Sequence, residues 1–127
     1  MSNSITVLLA EDNHDHAELI KDIFEENAPQ VQLLHAPNGQ DLIQQLSRQG
    51  VPPQLILLDI KMPRLDGLST LKAIRSMQPY KNLPILMITT SSINSDITKA
   101  KQFGATGYLT KPIQFSDIAP YLSQEQL

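Results

Sequence analysis

Apolar positions along this chain fall into two alternating patterns. One consists of short unbroken runs: Ile5–Ala10 (ITVLLA), the weaker Gln32–Ala36 (QLLHA), Leu55–Leu58 (LILL), Ile85–Thr89 (ILMIT) and the brief Gly107–Leu109 (GYL). Runs without polar alternation predict strands of a parallel sheet covered on both faces. The other pattern has helical period. It predicts helices over Asn13–Asn27, with Ala17, Ile20, Ile23 and Phe24 on one face, and over Gln40–Arg48, with Leu42, Ile43 and Leu46. Gly67–Met77 (Leu68, Leu71, Ile74), Ser95–Phe103 and a last helix from Ser116 to about Gln124 follow. The punctuation agrees. Asp12 or Asn13 can cap the first helix, Gly50 stops the second, Pro79 lies beyond the third and Gly104 bounds the fourth. Pro120 is expected in the first turn of the last helix, where a missing N–H costs least.

Strand and helix alternate five times, which predicts an α/β architecture: a doubly wound (βα)5 sandwich on a five-stranded parallel sheet with right-handed crossovers. No repeat, linker or low-complexity stretch divides the 127 residues, so a single domain is expected over 1–127, its core about 5–122, with no output domain.

Composition narrows the function. Apolar residues at 41% fill one core, which argues against disorder. A net charge of −3 offers no basic footprint for nucleic acid. The chain has no cysteine, hence neither a disulfide framework nor a thiolate metal site. No apolar run is long enough to span a bilayer, and no basic leader precedes the first strand, so a soluble cytoplasmic protein is expected.

In a doubly wound sheet, ligands bind beyond the carboxyl ends of the strands, where the winding changes direction. Glu11 and Asp12 follow the first strand, Asp59 the third, Thr89-Thr90-Ser91 end the fourth, and Lys111-Pro112 follow the fifth. The fold would bring them to one rim. Two unit charges ~5 Å apart repel by roughly 3 kcal/mol at an effective dielectric near 20, so three carboxylates there need compensation. A hard divalent cation supplies it, and an all-oxygen site suits Mg²⁺. Lys111 adds a second positive charge and Thr89 a hydroxyl. Nucleophile, metal, cation and hydroxyl are the parts a carboxylate needs to attack a phosphoryl group.

Taken singly, each feature has a plainer reading. Glu11-Asp12 can serve as a helix cap, and Asp59 can open a turn that continues through Pro63 and Asp66-Gly67. Thr89 can be an ordinary strand end, and Lys111-Pro112 a strand stop. Their conjunction at successive strand ends of one sheet carries the argument.

The set Glu11-Asp12, Leu57-Leu58-Asp59-Ile60-Lys61-Met62-Pro63, Asp66-Gly67, Thr89 and Lys111-Pro112 resembles that of bacterial response-regulator receiver domains of the CheY-like, flavodoxin-fold type. A narrower likeness, carried by Glu11-Asp12-Asn13 and Thr89-Thr90-Ser91-Ser92, is to small receivers paired with phytochrome-like histidine kinases. The resemblance implies that Asp59 is the phosphoacceptor. It implies that Asp12 holds Mg²⁺ directly, Glu11 through water, and the Lys61 carbonyl as a further ligand. Lys111 would pair with the phosphoryl group, Thr89 would hydrogen-bond it, and Tyr108 would rotate inward. Lys61 and Ser91 would flank the path of the hydrolytic water, and Pro112 would follow a cis bond. Implied partners are a histidine kinase or phosphotransfer protein as donor and a downstream protein target, the chain being a monomer or weak dimer. It would be a signalling switch catalysing its own phosphorylation and dephosphorylation, rather than a metabolic enzyme.

Rival functions fit less well. A phosphatase of the haloacid dehalogenase type needs a second acid two residues after its nucleophile, and that position holds Lys61. A flavin module needs a phosphate-cradling loop after the first strand, yet Glu11, Asp12 and Asp15 stand there and repel phosphate. A receiver that binds partners without phosphorylation would not need the full residue set.

Overall fold

Leu, Ile and Val occupy both faces of the central strands, and the whole sheet is organised by that. The computed structural model describes residues 5–48, 52–90 and 94–122. Strands β1 (Ile5–Ala10), β2 (Val31–Ala36), β3 (Leu55–Asp59), β4 (Ile85–Thr89) and β5 (Gly107–Thr110) form one sheet in the order β2-β1-β3-β4-β5. All four pairings are parallel. Helices α1 (His14–Asn27), α2 (Gly39–Arg48), α3 (Gly67–Arg75), α4 (Asn94–Gln102) and α5 (Phe115–Ile118) connect or follow them, with 3₁₀ turns at Gln78–Tyr80 and Ala119–Tyr121. Among the described residues no helix is long and apolar enough to cross a membrane.

Because successive side chains of a strand point to opposite faces, each run divides between two cores. Ile5, Val7, Leu9, Leu55, Leu57, Leu86 and Ile88 pack with Ala17, Ile20 and Phe24 of α1 and Ile118 of α5. Leu8, Ala10, Ile56, Leu58, Ile85 and Met87 face Leu42 and Leu46 of α2, Leu71 and Ile74 of α3, and Ala100 of α4. The expected architecture is therefore present, two helices on one face and three on the other.

The last helix departs from expectation. It starts at Phe115 rather than Ser116 and ends at Ile118, and Pro120 sits in a separate 3₁₀ turn. With Gln114 as N-cap, Pro120 falls beyond the first turn, where it can neither donate an α-helical hydrogen bond nor avoid the preceding carbonyl. Residues 123–124 of the expected helix lie outside the described residues. The third helix also stops earlier, at Arg75, because Gln78-Pro79-Tyr80 winds as a 3₁₀ turn.

Candidate functional site

The strand order makes β1 the element where the winding reverses, between β2 on one side and β3 on the other. The register levels the strand ends: Ala10 pairs with both Ala36 and Leu58, Asp59 with Ile88, and Thr89 with Thr110. Glu11, Asp59, Thr89 and Lys111 thereby share one rim.

Glu11 is fully buried there. Its N–H donates to the Ala36 carbonyl at 3.0 Å, its Oε2 accepts from the Asn13 N–H at 3.1 Å, and its own carbonyl lies 2.7 Å from His35 Nε2. Asn13, not Asp12, caps α1, its Oδ1 accepting from the His16 N–H at 3.0 Å. Asp12 is left exposed between two anchored neighbours.

Asp59 ends β3 and is 6% exposed. The backbone around it is close-packed: the Gly67 N–H donates to the Ile60 carbonyl at 2.7 Å, and a Cβ on Gly67 would lie 2.0 Å from the Asp59 carbonyl oxygen. Asp66 then caps α3 through the Ser69 N–H at 2.7 Å. Only glycine lets the helix start this near the strand end.

Lys111 completes the centre. Its N–H donates to the Thr89 carbonyl at 2.7 Å, and its bond to Pro112 is cis, as the resemblance implied. Its side chain is 9% exposed, and Nζ pairs closely with Glu11 Oε1 and lies 3.4 Å from Asp59 Oδ2. One ammonium thus serves two buried carboxylates. Burial first, and then the hydrogen bond and charge of Glu11, push the Asp59 carboxyl from 3.8 up to about 7, against the opposing pull of Lys111.

Glu11, Asp12 and Asp59 each offer a carboxylate oxygen, all within 4.8 Å of one another. Three such oxygens with a charge deficit of this sign fit a hard divalent cation. Thr89 is buried at the last position of β4. Lys61 is exposed in the loop after β3. Tyr108 is not at the rim: it pairs with Met87 and packs, partly buried, against the core beneath α3 and α4. Burial, and then the nearby charge of Asp96 in α4, raise its phenol pKa. Ser91 lies outside the described residues.

Two histidines belong to this site that the motif reading passed over. His35 holds the Glu11 carbonyl, and His16 Nδ1 lies 3.1 Å from Lys111 Nζ. His16 stands in the first turn of α1, four residues after Asp12, which puts it over the same rim, whereas nothing in the sequence singles out His35.

Known proteins resemble this chain in sequence and fold. Residues 7–123 match the response regulator receiver domain. The osmosensing histidine protein kinase SLN1 of Saccharomyces cerevisiae is 32% identical over 125 residues, 95% of this chain but 10% of the kinase's own length. The Mn(2+)-bound form of response regulator Rcp1 superposes with a TM-score of 0.78 at 27% identity, covering 90% of this chain and 86% of Rcp1. The phosphorylated cyanobacterial phytochrome response regulator RcpA does so with 0.80 at 26%, covering 91% and 86%. The chain belongs to the response regulator receiver domain family, the CheY-like module of two-component signalling whose general function is to accept a phosphoryl group from a histidine kinase.

Proposed function

We propose that Asp59 is the phosphoacceptor of this receiver, and that Lys111 and Thr89 stabilise the transferred group. The observation that carries the reading is the Lys111 ammonium, held almost out of solvent between Glu11 and Asp59. A histidine kinase or a phosphotransfer protein would be the donor. An Asp59 oxygen forms a bond to phosphorus as the bond from phosphorus to the donor imidazole breaks. The electron pair returns to the imidazole nitrogen, which takes up a proton. Lys111 meets the phosphoryl oxygens with fixed positive charge, and the Thr89 hydroxyl donates to them.

Glu11, Asp12 and Asp59 would hold Mg²⁺, with the Lys61 carbonyl as a further ligand. When bound, the ion supplies positive charge that offsets both the carboxylates and the phosphoryl oxygens. The similar response regulator Rcp1 has a Mn(2+)-bound form, which supports a divalent ion here as well.

The modification would be sensed through Thr89. As its hydroxyl turns to the phosphoryl group, the space it leaves is filled by Tyr108, and the α4–β5 surface changes for a downstream protein. The partly buried position of Tyr108, close enough to feel Asp96 of α4, supports this path.

Incubation with acetyl phosphate and Mg²⁺ tests the acceptor. The expected product carries one hydroxylamine-labile phosphoryl group, absent in Asp59→Asn. Undiminished labelling of Asp59→Asn would sink the assignment.

A further inference from the structure

The Lys111 ammonium has three N–H donors and no acceptor. Three acceptors surround it: Glu11 Oε1, His16 Nδ1 at 3.1 Å and Asp59 Oδ2 at 3.4 Å. Two of them are the carboxylates already described. The third is a neutral ring on a different element, set in the first turn of α1 by the bond from its own N–H to Asn13 Oδ1. Since lysine can only donate, His16 Nδ1 accepts here, and the ring proton sits on Nε2.

We propose that His16 is a positioning residue for Lys111: its Nδ1 takes one ammonium proton so that another is directed at Asp59, where the phosphoryl group arrives. This deepens the functional reading above and rests on it. Glu11 is the nearest partner of the ammonium. Without a second fixed acceptor, the ammonium is free to turn about its last bond and settle on Glu11 alone. With Glu11 and His16 each holding one proton, the tetrahedral arrangement leaves the third facing Asp59. A neutral acceptor does this without adding a further negative charge to the rim, where Glu11, Asp12 and Asp59 already outnumber one lysine.

The side chain shape permits a clean test. Asparagine puts its Oδ1 where histidine has Nδ1, so it restores an acceptor at that point. Leucine puts a methyl there, and the cleft of about 510 Å³ beside it, though it also holds Lys111, Asp22 and Glu26, offers Ile20, Ile23 and Ile113 as apolar neighbours. His16→Met is a second variant lacking the acceptor at that point, should His16→Leu lower stability.

Two readouts separate the contact from its consequence. The first is the ¹⁵N-coupled ammonium resonance of Lys111, assigned by its loss in Lys111→Arg and recorded with no phosphodonor. The second is the rate of Asp59 labelling by acetyl phosphate with Mg²⁺. His16→Leu is expected to broaden or lose the resonance through faster exchange. It is also expected to slow labelling by roughly fivefold to tenfold, about 1–1.4 kcal/mol by the transition-state relation, at unchanged melting temperature. His16→Asn is expected to recover both. A wild-type labelling rate in His16→Leu overturns the proposal whatever the resonance does. Equal slowing in His16→Asn overturns it too, because ring bulk rather than the acceptor would then be responsible. If Asp59→Asn were labelled like wild type, the phosphoacceptor reading would fail separately, while the resonance would still report the His16–Lys111 contact.

Discussion

At the scale of single residues, the charge balance around Asp59 has a measurable consequence. Its carboxyl, ordinarily at 3.8, is pushed up to about 7 in the fold, chiefly by burial and then by Glu11. The folded state therefore holds this proton more tightly than the unfolded chain does. Its contribution to stability is largest at the acid end of that window and is lost as pH rises from about 3.8 to about 7. Asp59→Asn has no such proton to lose. In metal-free buffer it should match wild type at the acid end and melt a few degrees higher at neutral pH, at roughly 4 °C per kcal/mol. Thermal melts across that window check this, and a constant difference at every pH would contradict the assignment of the titration to Asp59. Adding Mg²⁺ should narrow the gap by stabilising wild type.

The four strand-end positions of this site were legible because each carries a residue type out of keeping with the apolar run before it. His35 was not. It is one polar residue in a weak edge strand, and its role appears only when β2 lies beside β1 with Glu11 above Ala36. His16 carries a partial signal, four residues after Asp12 at the start of a helix, which becomes informative only once Lys111 is known to reach the same place.

At the scale of elements, the strands follow from apolar continuity with shifts of one residue at their ends, as in β3 and β5, which take in Asp59 and Thr110. The last helix is shorter than its apolar pattern predicts because Pro120 lies past the first turn whether the helix starts at Phe115 or at Ser116, and there it cuts the α-helix short. The β3–α3 connection shows the converse. Asp66-Gly67 looks like an ordinary turn dipeptide, but Gly67 is required by close approach to the strand that carries Asp59. In Gly67→Ala, the new Cβ meets backbone rather than a flexible side chain. A loss of ~2 kcal/mol or more is expected, at the upper part of what overpacking costs, together with slower labelling of Asp59 as its strand end moves. Urea unfolding with an unchanged slope would measure it. Wild-type stability would mean that α3 can retreat freely, contrary to the packing described.

At the scale of the whole molecule, a parallel sheet with both faces covered is a rigid platform, and its polar groups gather where the strands end. The two cores give the rim carboxylates and Tyr108 separate surroundings. Glu11, Asp59 and Lys111 sit at the rim near α1, whereas Tyr108 packs, partly buried, against the other core, the one under α3 and α4. The proposed coupling between them runs through Thr89. Thr89→Ala should still take a phosphoryl mimic at Asp59 but lose the distant response around Tyr108 and α4. Shifts of full size in that variant would show that the coupling runs elsewhere.

The most direct test of the central claim is an NMR titration with beryllofluoride, with and without Mg²⁺. The claim is that Glu11, Asp12, Asp59 and Lys111 form one metal-dependent phosphoryl site that resets the α4–β5 surface. It predicts shifts that begin at the carboxyl ends of β1, β3, β4 and β5 and extend to Tyr108 and α4. They should appear only when Mg²⁺ and beryllofluoride are both present, and not at all in Asp59→Asn. The same shifts without Mg²⁺, or in Asp59→Asn, would contradict it.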